Sequence, residues 1–372
     1  MLQLKTFAPK GASANSLDKQ HAREIKRIVV RTPTWVGDAV MSLPALQAVR
    51  RIFPAAHMTL ACHPGTADIF TESDFADDVL AAERGTFSVI KNARAWRQRQ
   101  FELAVLFQNA FAAAMTAWLA GVPLRVGYDT DRRGSFLTTA IPLPAWKDER
   151  HESFYYLNVV GVLERALFGT CSITDSEPSV SLTVPDKRRE AALSMINKAG
   201  AQAGKPLAVL CPGSVNSRAK RWPPERYAEL ADRLAESGMN VVLIGSPAEL
   251  DVSTEVSSRA RRQPLVLTGK TTVAEAVAII GIANVLITND TGPAHIGAAL
   301  GTPTLVIFGP TNPLTTYPLS PSAGIVRHPP DCAPCMLRDC PIDHRCMTAI
   351  SPEEVFDRAM AMSAARPVQI FG

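Results

Sequence analysis

Three loops carry the residues whose types and spacing suit chemistry. In RTPTWVGDAVMSLPAL, residues 31–46, Asp38 directly follows Gly37. A carboxylate at the mouth of a helix can take the proton of a substrate hydroxyl held within hydrogen-bond reach; the same position equally suits an N-cap or an acidic first turn. With a single glycine, this loop is not a G-x-G-x-x-G phosphate fingerprint. In PGSVNSRAKRWP, residues 212–223, Gly213, Ser214, Asn216 and Ser217 precede or flank the cations Arg218, Lys220 and Arg221. Open backbone donors and clustered cations are the parts of a phosphate cradle, and Trp222–Pro223–Pro224 would hold the basic side chains near a strand end. The alternative is a solvated surface loop. In TNDTGPAHIGAALGTPTLVIFGPTNP, residues 288–313, Asp290, Thr291 and Gly292 lead into Pro293, which opens a helix that Gly301 closes. The unpaired N–H groups and positive end of that helix suit a pyrophosphate, with the Thr291 hydroxyl as a further donor. His295, in the first turn, is either a ligand contact or a helix-packing residue.

The elements that must position these loops follow from the apolar pattern. Short β-rich runs alternate with helical stretches, the pattern of parallel βαβ units in an α/β fold. Strands are expected at RIVVR (27–31), HMTLAC (57–62), FSVI (87–90) and LAVLF (103–107), and again at LAVLC (207–211), NVVLIG (240–245), LVLTG (265–269), VLITND (285–290) and TLVIFG (304–309). The Ser-, Thr- and Pro-rich stretch 171–187 reads as a linker. This divides the chain into a polar tail at 1–26, a first domain at 27–180, a second at 181–350, and a terminal helix and tail at 351–372. That helix opens with Ser351–Pro352–Glu353–Glu354 and is expected to pack back on the first domain. Open sheets of this kind take ligands at the carboxyl ends of their strands, where all three loops fall.

Composition excludes several classes. The 372 residues are 47% hydrophobic and 20% charged, enough for two cores and too little charge for a disordered chain. The excess of 39 Lys and Arg over 35 Asp and Glu is small, so a polyanion site must be local. One candidate is the strip 84–99, where Arg84, Lys91, Arg94, Arg97 and Arg99 stand with Trp96 and no acidic residue; a solvated helix face is its plain alternative. Seven cysteines are too sparse and too odd in number for a disulfide scaffold, which points to a reducing cytosol. The tail lacks the apolar core of a secretory signal. The apolar run 103–120 is interrupted by Gln108 and Asn109 and reads as a strand followed by a helix rather than a membrane span.

The three loops, together with VVLIGSPAELD and the cysteine-rich CAPCMLRDCPIDHRCM (332–347), resemble the lipopolysaccharide heptosyltransferases, from residue 28 almost to the C-terminus. The resemblance is strongest to the members that add the second heptose. It implies a GT-B glycosyltransferase, two Rossmann-like domains facing across a cleft, with acceptor held by the first and nucleotide-sugar by the second. The implied reaction is inverting transfer of L-glycero-D-manno-heptose from ADP-heptose to heptosyl-Kdo-lipid A in the lipopolysaccharide inner core. The family's catalytic carboxylate falls on Asp38 and its phosphate-binding lysine on Lys220. Its ribose-contacting glutamate falls on Glu249 and its diphosphate loop on Asp290, Thr291, Gly292 and His295, with Ser214, Ser217 and Arg221 completing the donor side. No divalent metal or other cofactor is required in such a site; the D-x-D at Asp129–Thr130–Asp131 lies on the acceptor side. Arg132 and Arg133 there, with Arg94 and Arg97, are candidates to bind the anionic core. A lipid acceptor further implies a cytoplasmic protein that visits the inner membrane surface through basic residues.

Cys332, Cys335, Cys340 and Cys346 form C-x2-C-x4-C-x5-C with His344 inside, enough ligands for a structural zinc; free or redox-paired thiols are the alternative. Cys62, Cys171 and Cys211 read as small interior hydrophobes. Competing functions are heptosyl transfer at another position, a nucleotide-sugar 2-epimerase on the same fold, and a zinc-stabilised nucleic-acid-binding protein. The small net charge and 6% aromatic content argue against the last.

Overall fold

A computed structural model of the chain describes residues 24–364, so most of the expected polar tail lies outside the described residues. The chain divides into two compact units, Met1–Pro178 and Ser179–Gly372.

The first unit holds a six-stranded parallel sheet in the order β3-β2-β1-β4-β5-β6, built from β1 (Arg27–Arg31), β2 (His57–Cys62), β3 (Asp78–Ala81), β4 (Leu103–Leu106), β5 (Leu124–Tyr128) and β6 (Thr139–Ile141). Ile28, Val29 and Val30 of β1 are wholly buried because helices cover both faces of a parallel sheet. After β1 the chain enters a short helix α1 (Val36–Met41), breaks at Ser42, and resumes as α2 (Leu43–Ile52), where Pro44 occupies a first-turn position that needs no N–H donor. The longer helices that follow are α3 (Ser88–Arg99), α4 (Phe111–Leu119) and α5 (Glu152–Phe168).

The expected strand at 87–90 is not one. Ser88, Val89 and Ile90 begin α3, which buries Ala93 and Trp96 and leaves Phe87 and Ile90 exposed. The third strand is instead DVLA at 78–81, whose half-buried edge position does not demand an unbroken apolar run. The sequence pattern also passes over β5 and β6. The run 103–120 resolves into β4 and α4, a strand and a helix as expected.

The second unit repeats the plan with β7 (Leu207–Cys211), β8 (Asn240–Leu243), β9 (Leu265–Val266), β10 (Val285–Asn289), β11 (Thr304–Ile307) and β12 (Ala323–Val326), in the order β12-β11-β10-β7-β8-β9, all parallel. Its longer helices are α6 (Asp186–Lys198), α7 (Pro224–Glu236), α8 (Leu250–Arg259), α9 (Val273–Ile282), α10 (Gly292–Ala299) and α11 (Pro352–Ala364). Helix α11 starts where Ser351 and Pro352 predict, the Glu354 N–H donating to Ser351 Oγ. Val355 and Ala359 are wholly buried in the core of the second unit with Trp222, Leu230 and Ile287, because the apolar face of α11 lies on α7, β10 and β11.

Within each unit the strand order is the doubly wound Rossmann order, reversing between the first and fourth strands. The two switch points lie between β1 and β4 and between β7 and β10. The loops leaving those four strands are therefore where ligands belong, and they include the three chemically unusual ones.

Candidate active site

At the switch point of the second unit, β7 ends at Cys211 and β10 at Asn289. Asn289 is wholly buried and ties the two loops together: its Nδ2 donates to the carbonyls of Pro212 (2.8 Å) and Gly213 (3.2 Å), and its Oδ1 accepts from the Trp222 N–H and the Tyr227 hydroxyl, each at 3.1 Å. Lys220 ends a 3-10 turn, Arg218–Lys220, and reaches across to the second loop. Its ammonium lies 3.0 Å from Asp290 Oδ2 and 3.1 Å from the Asp290 carbonyl. Asp290 is only 3% exposed, and the Thr311 hydroxyl donates to the same Oδ2 at 2.6 Å. Buried carboxylates need such partners, so Asp290 holds the lysine head at the mouth of α10.

Helix α10 begins at Gly292 with Pro293 in its first turn, and Gly301 just beyond its end has φ +65°, as the Pro-in, Gly-out pattern predicts. Thr291 is its N-cap residue, yet the hydroxyl makes no capping bond to the helix and instead donates to the Asn289 carbonyl at 3.3 Å. His295 is buried, 5% exposed. Glu249 caps the turn ahead of α8: one carboxylate oxygen accepts from the N–H and hydroxyl of Ser246, both at 2.8 Å. The other lies over Gly213, where an added Cβ would fall 2.2 Å from it. Glycine there lets the carboxylate and the loop backbone approach. Arg221 donates to the Ser214 carbonyl from two nitrogens, and Ser217, 8% exposed, spends its hydroxyl on the Leu337 and Arg338 carbonyls.

The cysteine-rich segment grips this same turn. The Ala219 N–H donates to the Arg338 carbonyl (2.9 Å), Arg218 pairs with Asp339 (2.6 Å), and His344 Nε2 lies 2.6 Å from the Ala219 carbonyl. Its cysteines do not form a metal cage. Among the described residues no group of three or more His, Cys, Asp or Glu side chains is placed to hold a metal ion, and Cys332, Cys335, Cys340 and Cys346 are free thiols, the first exposed and the last buried. Burial, and then the nearby Cys340, Cys335 and Cys332, push the Cys346 thiol up to about 11. The segment spends its backbone and His344 on the 217–219 turn instead.

At the switch point of the first unit, Asp38 lies in the first turn of α1. The Tyr156 hydroxyl, on α5, donates to Asp38 Oδ1 at 3.3 Å. Nearby, Arg31 donates to Gln108 Oε1 (2.7 Å), whose amide donates to the Thr34 hydroxyl (2.7 Å), fixing the loops after β1 and β4 against each other. The arginines expected to bind an anionic acceptor separate into two kinds. Arg133 is wholly buried; its guanidinium donates to the Tyr128 carbonyl (2.8 Å), the Gln108 carbonyl and Asn109 Oδ1 (2.9 Å). It is a structural tie, because three of its five N–H donors are spent on acceptors inside the fold and none of the residue reaches solvent. Arg94, Arg97 and Arg132 are exposed, with Arg97 donating to the Leu119 carbonyl.

The contacts that Asn289, Thr311, Tyr156 and the 337–344 segment make at the site escaped the sequence reading. Asn289 alone had a local signal, its place before Asp290 at a strand end; the others reach the site from 21, 118 and about 120 residues away, so only folding reveals them.

This pair of doubly wound units is the fold of the GT-B glycosyltransferases: the structure of Escherichia coli ADP-heptose lipopolysaccharide heptosyltransferase II superposes with a TM-score of 0.78 at 24% identity, over 91% of this chain and 99% of that one. A family 9 glycosyltransferase from Veillonella parvula gives the same TM-score and identity over 95% of this chain and 99% of its own. Residues 89–345 match glycosyltransferase family 9 (heptosyltransferase), and the chain belongs to that family. It is a glycosyltransferase. Among its relatives, lipooligosaccharide heptosyltransferase 2 of Haemophilus influenzae is 30% identical over 317 residues, 81% of this chain and 88% of that one. Lipopolysaccharide heptosyltransferase 2 of E. coli is 26% identical over 321 residues with the same coverage.

Proposed function

We propose that the chain transfers L-glycero-D-manno-heptose from ADP-heptose, with inversion, to the heptose already present on Kdo-lipid A. The observation that carries this reading is chemical complementarity at the two switch points: a carboxylate, Asp38, at the first, and a cation joined to a helix N-terminus, Lys220 with Thr291–Gly292, at the second. Inversion is one displacement. The acceptor oxygen forms a bond to the anomeric carbon, the bond from that carbon to the diphosphate oxygen breaks, Asp38 takes the acceptor proton, and ADP departs with the electron pair.

Negative charge grows on the diphosphate as it leaves. Lys220, the exposed N–H groups at the start of α10 and the helix dipole meet it, with no divalent metal required. In this reading the pyrophosphate replaces Asp290 as the main partner of Lys220. Ser214, Ser217, Arg221 and Glu249 shape the donor loop, Glu249 offering its Gly213-facing oxygen to the ribose. His295 acts through the packing of α10. On the acceptor side Arg94, Arg97 and Arg132 meet the anionic core. Phe87, Ile90, Arg94 and Arg97 follow one another at helical spacing on an exposed face of α3, which suits brief contact with an anionic membrane from the cytoplasmic side. Among the described residues no helix is long and apolar enough to cross a membrane.

The deciding assay offers ADP-heptose with Kdo-lipid A bearing one heptose, and in parallel with the unheptosylated lipid, read by mass. Addition of one heptose to the first lipid only, undiminished by EDTA, is expected. Transfer only to the unheptosylated lipid would assign the first position, and ADP release with an altered free sugar and no acceptor would make the protein an epimerase.

A further inference from the structure

Two residues of α5 that no sequence motif marks bear on the Asp38 carboxylate, Tyr156 by a hydrogen bond and Glu152 by its charge. Glu152 opens α5, in its first turn, and Tyr156 stands four positions later, on the same face one turn along. Tyr156 is 5% exposed and its hydroxyl is committed to Asp38 Oδ1. Helix α5 packs on both α1 and α2, so the two residues are carried to Asp38 by the rigid part of the unit rather than by a loop. We infer that Glu152 and Tyr156 are the positioning residues that set the proton affinity of Asp38: Tyr156 holds one oxygen of the carboxylate, and Glu152 brings a second carboxyl whose charge state acts on the first. The inference rests on Asp38 as the base.

A hydrogen bond donated to a carboxylate favours its ionised form, so the Tyr156 hydroxyl keeps Asp38 ready to receive a proton and fixes the direction of its other oxygen. Two neighbouring carboxyls, in turn, do not ionise independently. Burial pushes Glu152 up to about 7, with Lys147 opposing and Asp38 and Asp148 adding to the rise. The hydroxyls of Tyr128, Tyr155 and Tyr156 feel the same Glu152 charge, and all three are raised, first by burial. Below about pH 7 Glu152 is uncharged; above it Glu152 ionises, and a like charge near Asp38 strengthens it as a base.

The expected signature is a rise of kcat, at saturating donor and acceptor, centred near pH 7. In Glu152→Gln, which fixes the uncharged form, kcat stays at the low-pH level throughout, and Glu152→Asp restores the step. Tyr156→Phe lowers kcat about tenfold while KM for ADP-heptose is unchanged, since the lost bond lies on the acceptor side. A Glu152→Gln profile that superimposes on the parent's, with Asp38→Asn inactive, overturns the inference and leaves the base assignment standing. Full activity in Asp38→Asn overturns the base assignment itself. A measurement independent of turnover uses isotope-edited infrared spectroscopy of glutamate-labelled protein. One protonated glutamate should persist to about pH 7, and its midpoint should fall in Asp38→Asn; a midpoint that the substitution does not move shows the two carboxyls to be uncoupled.

Discussion

Lys220 and Arg133 are both basic residues in loops that looked ready to bind anions, and burial separates them. Lys220 keeps 26% of its side chain exposed beside a single buried carboxylate, so its charge can be transferred to a ligand phosphate. Lys220→Ala is expected to lower kcat/KM for ADP-heptose about 100-fold, the scale of losing one preorganised donor to a developing anion, and isothermal titration should show ADP binding weakened in parallel. Arg133→Met instead strands three buried acceptors and should cost about 3 kcal/mol of stability in urea titrations, whereas Arg132→Ala, at an exposed position, should stay within about 0.5 kcal/mol. If Arg133→Met unfolded like the parent, the buried tie would be of no consequence. The residue types at 132 and 133 are identical, so nothing local could have distinguished them; the difference arises because β5 and the Gln108 loop close over one side chain and not the other.

At the scale of elements, the turn 217–220 is held by a segment more than a hundred residues downstream. The 337–344 stretch bonds to Ser217, Arg218 and Ala219, and the cysteines that drew attention in the sequence sit on this clamp without caging a metal. His344→Ala should release one side of the turn and raise KM for ADP-heptose about tenfold, with a smaller effect on kcat and none on KM for the acceptor. An unchanged donor KM would show that the clamp does not position Lys220. Helix α11 makes the same point about stability: Val355→Ala, in a wholly buried position against α7 and β10, should cost about 2 kcal/mol by the cavity it leaves.

At the scale of the whole chain, the two units divide between Pro178 and Ser179, in a stretch that is largely exposed. Limited proteolysis should cut first between about 169 and 182, in keeping with exposed linkers being the preferred sites, and the C-terminal fragment should retain ADP binding, since Lys220, Asp290 and α10 all belong to the second unit. First cleavage elsewhere, or loss of ADP binding on cleavage, would contradict that division. The buried parallel strands were legible because a strand covered on both faces must be apolar along its length, and the loops at their ends were legible because a glycine, a cation cluster and a Pro-in, Gly-out helix are local signals. Edge strands such as β3, half exposed, leave no such mark, and the short run at 87–90 belonged to a helix. The sequence alone thus determined the α/β class, the doubling and the segments that bear Asp38, Lys220 and Asp290. Tertiary structure alone decided which arginines are buried, where α11 packs, what the cysteine segment touches and that Tyr156 meets Asp38, because burial and pairing depend on chain segments far apart in sequence.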